Sequence, residues 1–159
     1  MKIDHIGIAT RSIAESVAFW REALGCDVPE TEEVPEQKVR VTMLPAGPSC
    51  IELLEATSED SPISKFLQKR GPGIHHLAVR VDDIRAALTE LRDGGARLID
   101  EAPRKGADGC AVAFIHPSSA GGVLVELVER PKETTSPKPL KDPGAKTKDQ
   151  RPNKQERTI

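Results

Sequence analysis

The chain has 159 residues, 37% of them hydrophobic and 30% charged, with a formal net charge of −2. That length suits one domain with a sizeable core, the near-neutral charge argues against a nucleic-acid groove, and no apolar run approaches the roughly 20 residues of a membrane span. Three isolated cysteines, Cys26, Cys50 and Cys110, suit neither a disulfide framework nor a Cys-based zinc site; with no signal-peptide pattern at the start, cytoplasmic residence and reduced, mostly buried thiols are expected.

Lys2 to Thr10 alternates apolar and polar residues as a half-buried strand does. Ser12 opens a helix, with Glu15 three residues later completing a capping box. Ile13, Val17, Trp20 and Leu24 form its apolar stripe, and Gly25 stops it. Strands are expected near residues 28–33, 39–44 and 50–56, with Pro45-Ala46-Gly47-Pro48 turning between the last two. Ser61-Pro62 then begins a short helix, Pro being favoured in the first helical turn.

From residue 74 the same order returns. A strand over 74–81 leads to Asp82 or Asp83, which caps a helix with the stripe Ile84, Leu88 and Leu91. Gly94-Gly95 ends it, and strands are expected near 98–101, 111–115 and 122–128. The last 29 residues differ: five Pro, eight Lys/Arg against four Asp/Glu, and only Leu140 and Ile159 as large apolar side chains. Such a segment cannot offset its ordering entropy by burial. It is expected to be a disordered tail of net +4, which leaves the rest at −6.

The two halves are copies. Ile3-Asp4-His5-Ile6-Gly7-Ile8 matches Ile74-His75-His76-Leu77-Ala78-Val79, with His5 and His76 in register at a spacing of 71. Ile51-Glu52-Leu53-Leu54-Glu55 matches Val125-Glu126-Leu127-Val128-Glu129. The expected fold is α+β: two tandem βαβββ modules, residues 1–58 and 73–130, joined by a linker with a short helix at 59–72 and followed by the tail at 131–159. A four-stranded sheet with one helix leaves a face uncovered, so the two sheets should share a partly closed cup. Alternation sends His5 and Gly7 to one face, and Ile51, Leu53, Val125 and Leu127 to the face opposite Glu52 and Glu126. The apolar face packs under the helices, so the two His and two Glu point into the cup.

Alone, a strand His is usually structural and a Glu among apolar residues usually solvated. The repeat of the same pair in both halves favours a shared site. Imidazole and carboxylate together suit Mn, Fe, Co, Ni or Zn. A divalent ion would also neutralise carboxylates that are costly inside a cup.

These features resemble the vicinal oxygen chelate superfamily, which includes glyoxalase I, and within it most closely the methylmalonyl-CoA epimerase family. The resemblance rests on residues 3–9, Pro35-Glu36-Gln37, Asp60-Ser61-Pro62-Ile63-Ser64-Lys65-Phe66-Leu67, residues 73–78, Phe114-Ile115-His116-Pro117 and Gly121-Gly122-Val123-Leu124-Val125-Glu126-Leu127. It spans about residues 2 to 129, with the linker helix and the final strand its most specific parts. It implies a cup-shaped glyoxalase fold in which His5, Glu52, His76 and Glu126 bind a divalent metal, Co2+ or Mn2+ first, with Zn2+, Ni2+ and Fe2+ as alternatives. It implies interconversion of the 2R and 2S forms of methylmalonyl-CoA by proton transfer at carbon 2 through an enolate, with an acid/base group on each face. Glu126 is expected on one face. Some family members carry a second Glu where this chain has Val41, so Glu52, a water or Glu36 takes that side here; Lys38 likewise replaces a usual Gly.

His75 is expected to alternate away from the cup and His116 to sit at a strand end, both structural or supporting the ligands from behind. Some of Lys65, Lys69, Arg70, Arg104 and Lys105 could meet CoA phosphates, although a solvated role is as good a reading. A small-molecule acyl-CoA is the expected partner, nucleic acid and membrane are not, and a homodimer is suggested only by analogy. The competing readings are a glyoxalase I (lactoylglutathione lyase), an Fe(II) dioxygenase, and a non-enzymatic binding protein of the kind that sequesters drugs. The presence of all four donors and the low aromatic content weigh against the last.

Overall fold

The computed structural model describes residues 1–131, so the tail expected at 131–159 lies outside the described residues beyond Pro131. Its first half contains β1 (Lys2–Ala9), α1 (Ile13–Ala18), β2 (Glu32–Val34), β3 (Val39–Ala46) and β4 (Ser49–Ala56). The linker helix α2 is Pro62–Arg70. The second half contains β5 (Gly73–Arg80), α3 (Ile84–Asp93), β6 (Arg104–Lys105), β7 (Ala111–Ile115) and β8 (Val125–Glu129).

All eight strands form one sheet in the order β2-β3-β4-β1-β5-β8-β7-β6. Each half pairs its first strand in parallel with its last, β1 with β4 and β5 with β8. The halves meet at one antiparallel seam, β1 against β5. The sheet curls until its far ends touch: Gln37 Nε2 donates to the Lys105 carbonyl at 3.3 Å, and the Asp108 amide donates to Glu32 Oε2 at 3.0 Å. The result is the partly closed cup of a mixed α+β glyoxalase-type fold.

Local chemistry explains the elements. Gly47 (φ 66) and Pro48 make a two-residue hairpin turn, with Ala46 opposite Ser49. A left-handed glycine in the first turn position matches strand twist, so β3 runs through Pro45 and the turn is shorter than the four residues expected. Ser12, Ser61 and Asp83 cap α1, α2 and α3 with their side-chain oxygens. In both halves a strand-borne carboxylate reaches across to complete the cap: Glu55 Oε2 accepts from the Ile13 amide and Glu129 Oε2 from the Ile84 amide, each at 2.8 Å. Glu15 thus contributes its amide to Ser12, while the Ser12 amide that its side chain was expected to meet donates to Thr10 Oγ1 at 3.4 Å.

The apolar residues divide between the two faces as alternation requires. Under α1, Ile13, Val17, Leu44 and Leu53 pack with Ile51 and Trp20. Under α3, Ile84, Leu88, Ala113, Ile115 and Leu127 pack with Val125 and Leu91. Each such side chain, fully buried, contributes about 1.5–3 kcal/mol. Inside the cup, Val34, Val39, Val41 and Leu54 pack with Ile63 of α2.

Four expectations need correction. The α-helical stripe does not reach Leu24, which is 57% exposed, because Phe19–Ala23 forms a π-helical turn that unwinds the 3.6-residue period. Residues 98–101 are not a strand: Leu98 makes one isolated bridge to Ile115, and Arg104–Lys105 forms the edge strand instead. The strand near 28–33 is confined to Glu32–Val34, and the last strand begins at Val125 rather than at 122. No helix among the described residues is long and apolar enough to cross a membrane. Of the three free cysteines only Cys110 is buried; Cys26 and Cys50 are half-buried.

Candidate metal centre

Four neighbouring strands carry the four expected residues: Glu52 on β4, His5 on β1, His76 on β5 and Glu126 on β8. All four are buried, at 3–7% exposure. His5 Nε2 and His76 Nε2 face each other at 3.0 Å. Glu126 Oε2 lies 3.0 Å from His5 Nε2 and 2.9 Å from His76 Nε2. Glu52 Oε2 lies 3.4 Å from each of the same nitrogens. The strand order puts the two carboxylates on opposite flanks of the His pair.

These distances suit one shared cation. Bonds of about 2.0–2.2 Å from an ion to nitrogen and oxygen place neighbouring ligand atoms about 2.9–3.5 Å apart, which is the range observed. Glu52, His5 and His76 each offer a donor atom within 4.8 Å of the others, and Glu126 meets both nitrogens from its own flank. Glu126 Oε2, although close to both imidazoles, is buried without an aligned hydrogen-bond partner. A buried carboxylate oxygen left in that state is costly unless a cation meets it. Two neutral imidazoles and two carboxylates would leave a divalent centre without net charge.

The electrostatics agree. Burial opposes the charged form of His5, but the close carboxylates of Glu126 and Glu52 outweigh it and raise the pKa to about 11. His76, with the same opposition and the same partners, rises to about 9. Burial favours the neutral form of Glu52, yet His5 and His76 pull it down to about 2; Glu126 is lowered by the same pair. Without a metal, protonated imidazoles do the neutralising.

Two β-bulges shape the surroundings. Along the seam, Ile3 pairs with Val79 and His5 with Ala78, so Asp4 is the extra residue of β1; Gly7 pairs with His76 and Ile8 with Ile74, so His75 is the extra residue of β5. A bulge interrupts alternation and re-aims a side chain. Asp4 therefore lies beside His5, with Oδ1 3.1 Å from its Nδ1, and His75 Nδ1 lies 2.9 Å from His76 Nδ1. This corrects the expected orientation of His75: it lines the cleft and stacks edge-on against Phe66 of α2. His116, as expected, stays at the end of β7, capping the turn that follows.

A cleft of about 300 Å3 opens from the centre, lined by His75, His76, Leu54, Ile63, Ile99 and Phe114, with Glu36, Gln37, Lys38 and Arg104 among its polar residues. The Arg104 guanidinium stands 5.7 Å over the Phe114 ring, and Arg70 lines an adjoining cleft. Lys65, Lys69 and Lys105 line neither cleft, whereas Lys38, paired with Asp60, does line the first. Val41 is buried among the apolar walls beside the donors, and its 3% exposure and aliphatic side chain leave it no proton to transfer.

Residues 4–114 match the family model described as the Glyoxalase/Bleomycin resistance protein/Dioxygenase superfamily. The protein YqjC of Bacillus subtilis, itself uncharacterised, is 44% identical over 80% of this chain and 91% of its own length. The mitochondrial methylmalonyl-CoA epimerase of Homo sapiens is 39% identical over 79% of this chain and 72% of its own. The solved structure of a variant of Streptomyces coelicolor methylmalonyl-CoA epimerase, in complex with 2-nitronate-propionyl-CoA, superposes with a TM-score of 0.79 at 41% identity, covering 82% of this chain and 94% of the other.

Proposed function

The chain belongs to the Glyoxalase/Bleomycin resistance protein/Dioxygenase superfamily, and from that membership and the geometry of its centre we propose that it is a methylmalonyl-CoA epimerase, an isomerase that exchanges the 2R and 2S forms of its acyl-CoA substrate. The observation that carries this reading is the cluster of His5, Glu52 and His76, with Glu126 against both imidazoles from the other flank, two donors from each half, beside a cleft that His76 lines. It is supported by relatives of that name at 38–39% identity over 79% of the chain.

His5, Glu52, His76 and Glu126 would hold a divalent cation, Co2+ or Mn2+ before Zn2+. Such an ion supplies Lewis-acid stabilisation for negative charge developing on a substrate oxygen. The chain's own residues do the rest. Epimerisation removes a proton from one face of carbon 2 and delivers one to the other, so it needs a group on each side of the resulting planar enolate. Glu126 and Glu52 flank the His pair from β8 and β4, so a carbon held over that pair meets a carboxylate on either side. Glu126 takes one face and Glu52 the other, because Val41 offers no proton. The apolar walls keep water from the exposed carbanion, and the cleft past Phe114 leads the CoA chain towards Arg104 and Lys38.

Deuterium wash-in at carbon 2 of methylmalonyl-CoA, followed by mass spectrometry on Co2+- or Mn2+-loaded protein in D2O, tests the proposal. The expected result is exchange together with interconversion of the two epimers. Exchange at background level would reject it, and turnover of a glutathione hemithioacetal instead would move the chain to the glyoxalase I reading.

A further inference from the structure

We propose that Asp4 is a positioning residue for His5, fixing which ring nitrogen faces the centre and making the two imidazoles chemically unequal. The inference rests on the reading of the four donors as a metal site. The internal repeat places Asp4 and His75 at matching positions, each immediately before a donor histidine. Both are the extra residues of bulges at the seam, and both touch Nδ1 of the histidine that follows. The geometry is shared between the halves and the chemistry is not.

Asp4 is 1% exposed and both of its carboxylate oxygens are engaged. Its Oδ2 accepts from Arg80 Nε at 2.9 Å and Arg130 Nε at 2.8 Å, and lies 2.8 Å from Arg80 Nη2. Its Oδ1 accepts from Arg130 Nη2 at 2.8 Å and lies 3.1 Å from His5 Nδ1. The guanidinia come from the end of β5 and from the residue after β8, so the second half clamps a carboxylate of the first. An ionised carboxylate only accepts hydrogen bonds, so His5 Nδ1 must carry the proton and Nε2 is left to the centre. Supporting carboxylates of this kind raise the basicity of a ligating imidazole and lock its orientation. His75 gives His76 only another imidazole nitrogen, with Phe66 rather than a guanidinium against its ring.

Asp4→Asn keeps the shape and removes the charge. Zinc titrations against a chromophoric chelator should show a dissociation constant about 10–100-fold weaker than that of the unaltered protein, and long-range 1H–15N spectra of the zinc-loaded unaltered protein should show His5 protonated at Nδ1 and bound through Nε2. The ring spectrum separates positioning from mere stabilisation and needs no variant to fold. Equal zinc affinity within twofold, or His5 bound through Nδ1, would overturn the role of Asp4 while leaving the epimerase reading intact. Failure of the unaltered protein to bind zinc, cobalt or manganese would instead remove the metal reading and this inference with it.

Discussion

Gly7 is the most sharply constrained position near the centre, and Gly7→Ala isolates the geometry of the donors from their chemistry. Gly7 lies in β1 opposite His76, and its backbone is outside the left-handed region, so alanine adds no backbone strain. A methyl group there would lie 2.2 Å from His76 Cε1, 2.5 Å from Nδ1 and 2.6 Å from Nε2. Ordinary carbon contacts are about 3.5–4.0 Å, so the ring must move by about 1.3–1.8 Å. It is hemmed in edge-on by His5, His75 and Phe114 at centroid distances of 5.2, 5.2 and 5.5 Å. A shift of that size disturbs the placing of Nε2 against Glu126 and His5, now 2.9 and 3.0 Å distant. Overpacking should cost about 1–3 kcal/mol of stability. Misplacing one donor by more than an ångström should weaken Co2+ binding about 10–100-fold and lower kcat/KM about 100-fold. Competition titration and steady-state epimerase assays, beside a thermal melt of the metal-free form, check each quantity. A folded Gly7→Ala protein with unchanged Co2+ affinity would refute the claim that His76 is a ligand placed by this contact. The repeat supplies the contrast: Ala78 occupies the matching position opposite His5, whose ring already stands clear of a methyl group.

His76→Ala should abolish both stoichiometric Co2+ binding and turnover, read by metal analysis after reconstitution and by the wash-in assay. Glu126→Gln should lower turnover at least about 100-fold, the lower end of the usual general-base contribution, while weakening metal affinity far less; full activity would remove its proton-transfer role. Metal binding near pH 7 should release close to two protons, since His5 and His76 hold theirs up to about pH 11 and 9, so affinity should rise with pH and calorimetry in buffers of different ionisation enthalpy should show the release. In the metal-free protein the same cluster fixes the pH dependence of stability. The raised imidazoles stabilise fully below about pH 6.5 and lose this as pH rises through 9 and 11, while the lowered Glu52 stabilises above about pH 4.5 and loses this as pH falls through 2. His75, whose pKa burial and the neighbouring His76 charge lower to about 4, costs stability as pH falls from about 6.5 through 4, so denaturant melts should peak near pH 6.5.

Much of this was legible from the chain because duplication and alternation reinforce each other. His5, Glu52, His76 and Glu126 follow from the repeat and the period of two, and the structure brings them together as the pattern required. What escaped lies where a local rule meets a non-local partner. The bulges at Asp4 and His75 break the strand alternation, so a period of two alone points His75 to the wrong face. Ser12 and Asp83 cap α1 and α3 as the local pattern indicates, but the carboxylates that complete those caps, Glu55 and Glu129, lie 42 and 45 residues away, which no local motif announces. Leu98 and Ile99 look like an edge strand, but Arg104 and Lys105 take that edge because they lie opposite Val112 and Ala111. The clamp of Arg80 and Arg130 on Asp4 left no signal beyond the charges themselves.

The seam between β1 and β5 also sets the order in which the molecule can assemble. The hairpin of β3 and β4 closes over a two-residue turn, a loop small enough to form in microseconds. The strand bearing His5 must wait for partners that lie roughly 45 and 70 residues later in the chain, and each such loop has to be closed before its contacts repay the lost entropy. All four donors sit on strands joined by those long-range pairings, so the centre belongs to the late, topologically demanding stage of folding. A cation captured there would act as a latch on the finished fold, holding the native state without guiding the chain towards it.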